Sequence, residues 1–270
     1  MTTLRQFLGG LTCALCGWML TACSSEEDSL EIPEGKGLVR IGLSADTGFS
    51  TQTKAVDESE YENLENYTVQ IWKDGRIAQD GDGNNCEWKG NALPQDGLIE
   101  LDNGDYTLLA YTGESYKGIG ATTEGMYVEG SSTFNINANQ ISVSAECIPQ
   151  CARMTVVFDS KMADYFSDYS VTFSGTTALG STTYMWKKDF TDPVYMAVTG
   201  TETITATINL TDKESKIGTP IVKTYEVSAA KAVKMNIVPT VQGGNVGISI
   251  EIDDSTNDIP IDIEIPSNWL

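Results

Sequence analysis

The chain has 270 residues, and 38 acidic against 17 basic side chains give it a formal net charge of −21, with no histidine. So acidic a surface repels a phosphate backbone, which argues against nucleic-acid binding. The lack of histidine excludes the common Ser-His-Asp and Cys-His catalytic sites and His-ligated zinc, copper or haem. Carboxylate-based hydrolysis, a Ser-Lys pair and oxygen-ligated calcium stay open.

The first element in chain order is an export signal. Arg5 precedes an apolar stretch at 7–20, which is too short and too interrupted by glycine for a convincing membrane span. Residues 20–23 read Leu-Thr-Ala-Cys and resemble the bacterial lipobox. That resemblance implies a signal peptide at 1–22 and a diacylglycerol on Cys23, whose two acyl chains would hold the protein stably at a membrane. The alternative is an ordinary signal peptide with a chance cysteine.

An acidic tether follows the lipidated cysteine and extends over 23–36. Its first residues are Ser24, Ser25, Glu26, Glu27 and Asp28. This run resembles the surface-export signal of Bacteroidetes lipoproteins. The alternative is a merely solvated leash, because charged, Ser-rich segments bury too little apolar area to fold.

The rest of the chain predicts β-strands almost throughout. Apolar and polar residues alternate in many short segments separated by turn residues, with no long helical periodicity, and only 162–166 indicates a short helical turn. The pattern predicts an all-β protein of two tandem antiparallel β-sandwich domains, at 37–149 and 150–270. The predicted strands are 38–44, 66–72, 98–101, 106–111, 125–128, 133–136, 140–145, 153–158, 169–173, 203–210, 221–227, 233–238, 245–252 and 259–265. Pro260 favours an edge position for the last of these strands.

Two local features have a structural interpretation. Gly104 precedes a strand and permits a turn with positive φ, and Tyr106 two residues later can hydrogen-bond back across a sandwich corner. Asp80 begins a run of oxygen-bearing residues at alternate positions, but the spacing departs from a calcium-binding EF-hand loop. A polar hairpin loop is therefore favoured over a calcium site, and no metal or other cofactor is predicted.

The cysteine positions leave the presence of one disulfide undecided. Cys147 and Cys151 flank a three-residue segment in an export compartment that permits disulfides, so a small loop bridge is conceivable if the chain turns there. Free thiols are the alternative, and Cys86 has no evident partner.

Tryptophans at 72, 88, 186 and 269 raise the option of a sugar-stacking platform, although core or edge positions are the simpler interpretation. Trp186 is the best candidate for ligand contact, since it stands with Tyr184 in a locally basic segment of an acidic protein. Trp88 is second.

The opening at 37–46, the strand at 66–71, the turn-Gly-x-Tyr entry at 101–108 and the segments 151–158 and 166–172 together resemble a Bacteroidetes surface-lipoprotein family of unknown function. That family is similar in style to fimbrillin and fimbrial-anchor proteins, which act in cell adhesion. The resemblance implies transthyretin-like or immunoglobulin-like sandwiches and provides no catalytic residues. No cleavable early loop with an exposed arginine is evident, which favours an accessory role over a polymerising pilin.

These observations predict a non-enzymatic lipoprotein of the outer membrane, exposed at the cell surface. Its expected role is that of an adhesin or fimbria-associated accessory subunit, with fimbrial subunits or host or glycan ligands as partners. The alternative is a glycan-binding surface lipoprotein of a polysaccharide-uptake system, which predicts coplanar exposed aromatic side chains on one sheet face.

Overall fold

The protein is described from a computed structural model, which covers residues 32–49, 56–94, 97–113, 121–242, 245–253 and 259–263. Within these residues strands dominate, so the all-β prediction is confirmed. The strands before residue 150 are β1 (Lys36–Ala45), β2 (Thr68–Lys73), β3 (Arg76–Ile77), β4 (Glu87–Lys89), β5 (Ile99–Asp102), β6 (Gly104–Thr112), β7 (Ala121–Thr122), β8 (Val128–Ile136) and β9 (Gln140–Pro149).

The second half has a similar strand content. Its strands are β10 (Cys151–Phe158), β11 (Phe166–Ser174), β12 (Tyr184–Lys187), β13 (Val194–Ala197), β14 (Thr201–Asp212), β15 (Ile221–Ser228), β16 (Ala232–Gln242), β17 (Asn245–Asp253) and β18 (Ile259–Ile263). The predicted helical turn is present as α1 (Met162–Tyr165), and 3-10 helices occupy Glu58–Tyr61, Leu64–Asn66 and Gly90–Ala92.

The described strands form three sheets. The first has the order β3-β2-β6-β8-β9-β1-β5, with β4 also pairing β2. The second has the order β18-β17-β16-β10-β13-β7, and the third β12-β11-β14-β15. Strand β18 therefore lies at a sheet edge, as Pro260 predicts, because proline has no N–H to donate to a ladder.

Each half contains one parallel strand pair, which the sequence pattern does not predict. In the first half β1 lies between its antiparallel partner β5 and its parallel partner β9. In the second half β10 lies in the same way between antiparallel β13 and parallel β16. The first and second sheets are therefore mixed, since the opening strand of each half pairs with a strand much later in the chain, whereas the third sheet is purely antiparallel.

Two clusters of buried apolar side chains lie within the sheets. One is built mainly from residues before 150 and the other from residues after it. Tyr195 and Ala197 belong to the first cluster although they follow residue 150, and β7 pairs with β13 of the second half. Each half thus contributes residues to the apolar cluster or the sheet of the other half. The division into domains at 149/150 stays a prediction.

The predicted corner around Tyr106 is present. Gly104 adopts φ +148°, a conformation that disfavours a side chain, at the start of β6. Tyr106 is only 4% exposed and its hydroxyl donates to the backbone oxygen of Asp102 at 2.7 Å. Lys73 Nζ lies 3.1 Å from the same hydroxyl, which joins β2 to this corner.

Replacing Tyr106 with phenylalanine should lower the free energy of unfolding by about 1–2 kcal/mol, because a hydrogen bond is lost while the packed ring remains. Urea titration of the two proteins measures the difference. Tyr111→Phe on the same strand is the control, since the Tyr111 hydroxyl makes no hydrogen bond within the described residues. Equal losses in both variants would show that the corner hydrogen bond is not what stabilises this strand.

Candidate functional site

The residues predicted for lipidation and export lie outside the described residues. They are Cys23, Ser24, Ser25, Glu26, Glu27 and Asp28, and their roles stay predictions from the sequence. None of the helices in the described ranges is long and apolar enough to cross a membrane.

The suggested bridge between Cys147 and Cys151 is wrong. Both side chains are fully buried thiols, as is Cys86, and none is in a disulfide. Cys147 lies near the end of β9 and Cys151 begins β10, with little chain between the two strands. Burial raises the pKa of the Cys147 thiol to about 11, so it stays protonated at neutral pH.

The prediction that Trp186 contacts a ligand is also wrong. Trp186 is 0% exposed and lies in β12 opposite Val171, within the second apolar cluster. Strand alternation points Met185 outward, at 49% exposure, and directs Trp186 into the core. The sequence pattern was consistent with either Met185 or Trp186 facing the core. Burial of Trp186 is favoured, because the larger apolar side chain removes more apolar surface from water.

Tyr184 and Trp88 are half-buried and belong to different sheets. Tyr184 lines a cleft of about 360 Å³ together with Phe190, Asp189 and Asp192. Trp88 packs against the first apolar cluster from β4, opposite Val69. The three predicted aromatic residues therefore do not form one platform.

A larger concave surface, which we call the Trp72 groove, lies on the outer face of β2, β6 and β8. It has a volume of about 740 Å³, and its lining includes Trp72, Asp74, Thr107, Thr133, Asp105 and Asn135. Trp72 pairs with Thr107, and Thr107 pairs with Thr133, so these three residues form one cross-strand row. Sequence reasoning named Trp72 among several tryptophans but could not single it out, because the row depends on the pairing of distant strands.

The indole of Trp72 is held by two hydrogen bonds in series. Its Nε1 donates to Gln70 Oε1 at 3.0 Å, and Gln70 Nε2 donates in turn to Glu87 Oε2. Gln70 is 7% exposed and lies two residues before Trp72 on β2, opposite Glu87 on the neighbouring strand β4. The polar edge of the ring is satisfied by the protein, and the ring orientation is fixed before anything binds.

Polar side chains surround this ring. Asn135 Nδ2 donates to Asp105 Oδ1 at 2.7 Å across the pairing of β6 and β8. Asp74 lies in the hairpin between β2 and β3 with φ +50°, followed by Gly75 at φ +75°, and two successive positive φ angles are what a tight Asp-Gly hairpin turn requires. No lysine or arginine lines the groove within the described residues. Tyr106 and Phe134 also line the groove, which therefore combines aromatic surface with an acidic, hydroxyl-rich rim.

A buried ion pair joins segments on either side of residue 150. Glu58, 3% exposed, accepts from the Tyr195 hydroxyl at 2.7 Å, and its Oε1 lies 2.8 Å from Arg153 Nε. The Arg153 guanidinium also lies over the Phe49 ring, 6.0 Å from its centroid. Burial raises the pKa of Glu58 and outweighs the opposing effects of Tyr195 and Arg153. This cluster positions the two halves rather than offering an accessible site.

The third sheet ends in a long unpaired edge. Strand β15 pairs along all its eight residues with β14 and has no second partner within the described residues. Val222 on this strand is 56% exposed, and Ile217 in the preceding loop is 82% exposed. An edge of this length with exposed apolar side chains is a template for pairing with another chain.

A family model described as a domain of unknown function (DUF4493) matches residues 35–267. The chain belongs to this family. The predicted membership in a family of unknown function is confirmed. No curated protein sequence matches the chain.

Solved structures with similar chains include proteins of fimbriae. The fimbrial anchor protein Mfa2 from Porphyromonas gingivalis has 13% sequence identity and a TM-score of 0.38, with 81% of this chain and 98% of that chain covered. A fimbrial assembly protein from Parabacteroides distasonis has 11% identity and a TM-score of 0.36, with 84% of this chain and 99% of that chain covered.

Proposed function

We propose that this chain is a non-enzymatic, surface-exposed lipoprotein of the outer membrane that acts as an adhesin or a fimbria-associated accessory subunit. The lipobox and acidic tether support export and anchoring, and fimbrial subunits are the expected partners. The observation that carries the proposal is the open edge of β15 beside the exposed side chains of Val222 and Ile217. No observation ties the chain to the import of sugars, so the alternative role in a polysaccharide-uptake system is not supported.

The partner is expected to add a strand to β15. Main-chain N–H and C=O groups along the free side of an edge strand can form a ladder with any extended segment, and side chains at alternate positions then select among partners. Val222 and Thr224 point to the outer face of the sheet, and Lys223 is partly buried on the other face. A charged side chain on an edge strand discourages indiscriminate pairing, which suits an edge that pairs selectively.

Replacing Val222 with lysine should reduce the amount of fimbrial or other surface subunits that copurify with the chain from intact, crosslinked cells at least tenfold. The added charge would lie in the new interface, where it loses its hydration. Copurified subunits are measured by mass spectrometry at equal surface abundance of the two variants, which protease shaving checks.

Val241→Lys is the matched control, because Val241 is a valine of nearly the same exposure, 54%, on β16 in another sheet. The proposal fails if both variants lose partners equally or neither loses any.

Deletion of residues 259–270 tests β18 in the same assay, since that strand is the edge indicated by the sequence. Unchanged partner capture after the deletion would exclude β18 and leave β15 as the pairing edge.

A further inference from the structure

The side chains that line the Trp72 groove take no part in strand pairing at β15. It lies on the first sheet, whereas β15 ends the third. An outer sheet face needs no large aromatic side chain for stability, because its opposite face already packs on the apolar cluster through Val69, Ile71 and Leu108. A half-buried indole facing a concave surface is a feature that binding would explain.

We propose that the Trp72 groove binds glycans built of neutral pyranose sugars. The apolar face of a pyranose ring matches the face of an indole, and stacking on it removes apolar surface of both from water. The ring of Trp72 is suited to this contact because its Nε1 already donates to Gln70, which leaves only the aromatic face for the ligand.

The rim provides the hydrogen bonds that orient a sugar. Asp105 accepts while Asn135 both donates and accepts, and the two side chains lie within 2.7 Å of each other. A pair of this kind matches two adjacent sugar hydroxyls, each of which is both donor and acceptor. Thr107 and Thr133 continue the indole row with two hydroxyl groups. A site of a few fixed polar groups around an apolar surface is the usual form of a small-ligand site.

Charge selects among glycans. Asp74 and Asp105 both line the groove, and the nearby ammonium of Lys73 is directed to Asn103 O and Tyr106 Oη. The groove therefore repels uronic acids, sialic acids and sulphated sugars, and it accepts neutral hexoses and N-acetylhexosamines. This inference rests on the proposed adhesive function and names its ligand class.

The test uses the full mature lipoprotein in detergent and measures binding to oligosaccharides of glucose, galactose and N-acetylglucosamine, with oligogalacturonate as the anionic comparison. We expect binding to at least one neutral series and at least tenfold weaker binding to oligogalacturonate. Trp72→Ala should weaken neutral-glycan binding at least tenfold, and Trp72→Phe should retain part of it. Trp88→Ala is the control, because Trp88 is also half-buried on a neighbouring strand but does not line the groove.

Asp105→Asn provides a second measurement that does not depend on the indole. It keeps the size of the side chain and removes one negative charge, so binding of oligogalacturonate relative to the neutral series should rise. No binding to any neutral oligosaccharide, or equal binding by wild type and Trp72→Ala, would overturn the inference. Partner capture through Val222 is a separate readout, so either proposal can fail without the other.

Discussion

The Cys23→Ala variant is expected to incorporate no label when cells are grown with a fatty-acid analogue, whereas the wild-type chain is labelled. The thiol of Cys23 is the predicted attachment point, and no other atom of the chain can replace it in that reaction. Without the modification the leader at 1–22 should stay attached, and the protein should migrate as the longer precursor. In-gel fluorescence and immunoblotting of the same samples measure both effects.

Cys16→Ala is the matched control for this experiment. Cys16 lies in the apolar run before the predicted cleavage point, so it should leave with the leader and its replacement should not change labelling. Label on the Cys23→Ala variant, or its loss from Cys16→Ala, would contradict lipidation at Cys23.

The acidic run from Ser24 to Asp28 can be tested in the same cells, because its replacement by neutral residues should reduce protease accessibility while labelling persists.

Replacing Arg153 with methionine should destabilise the fold by about 3–5 kcal/mol, because it leaves the carboxylate of Glu58 buried without its cationic partner. The side chain of Arg153 is 12% exposed and that of Glu58 is 4% exposed, so water cannot replace the lost contact. Glu58 Oε2 already has no hydrogen-bond partner within the described residues, which adds to the cost of the charge. Urea titration at neutral pH measures the loss.

A double variant and an exposed pair complete this test. Arg153→Met combined with Glu58→Leu should recover much of the lost stability, since an apolar pair can replace a buried ion pair with little loss. Lys216→Met is the control, because Lys216 and Glu214 form an exposed pair with exposures of 68% and 75%, and no change in unfolding is expected. A loss for Arg153→Met no larger than that for Lys216→Met would show that the buried pair does not hold the two halves in place.

Stability should also depend on pH through Glu58. Burial raises the pKa of this carboxyl above its ordinary value of 4.5, so between the two values the folded state binds more protons than the unfolded state. The contribution of Glu58 to stability is therefore fully present below about pH 4.5 and is lost as the pH rises through the folded pKa. The difference in unfolding free energy between wild type and Glu58→Gln should fall over that range. A difference independent of pH would contradict the raised pKa.

Alternation along the chain was sufficient to predict most strands, since a half-buried strand displays its two faces in its own residues. The strand at 203–210 is an example, and the structure extends it to β14 at Thr201–Asp212. Strand β13 was missed because all four of its residues are buried, so it shows no alternation. The two-residue strand β7 was missed because its pairing with β13 is determined by distant residues.

The sequence by itself determined the all-β class and the corner at Tyr106, because each depends on residues close together in the chain, and it predicts the export signal in the same way. Only the tertiary structure decided that Trp186 is buried, that Cys147 and Cys151 are buried without a disulfide between them, and that Glu58 meets Arg153. These outcomes depend on strand phase and on pairing between distant segments. A shift of one residue in a strand exchanges its buried and exposed faces, and local composition does not specify that phase.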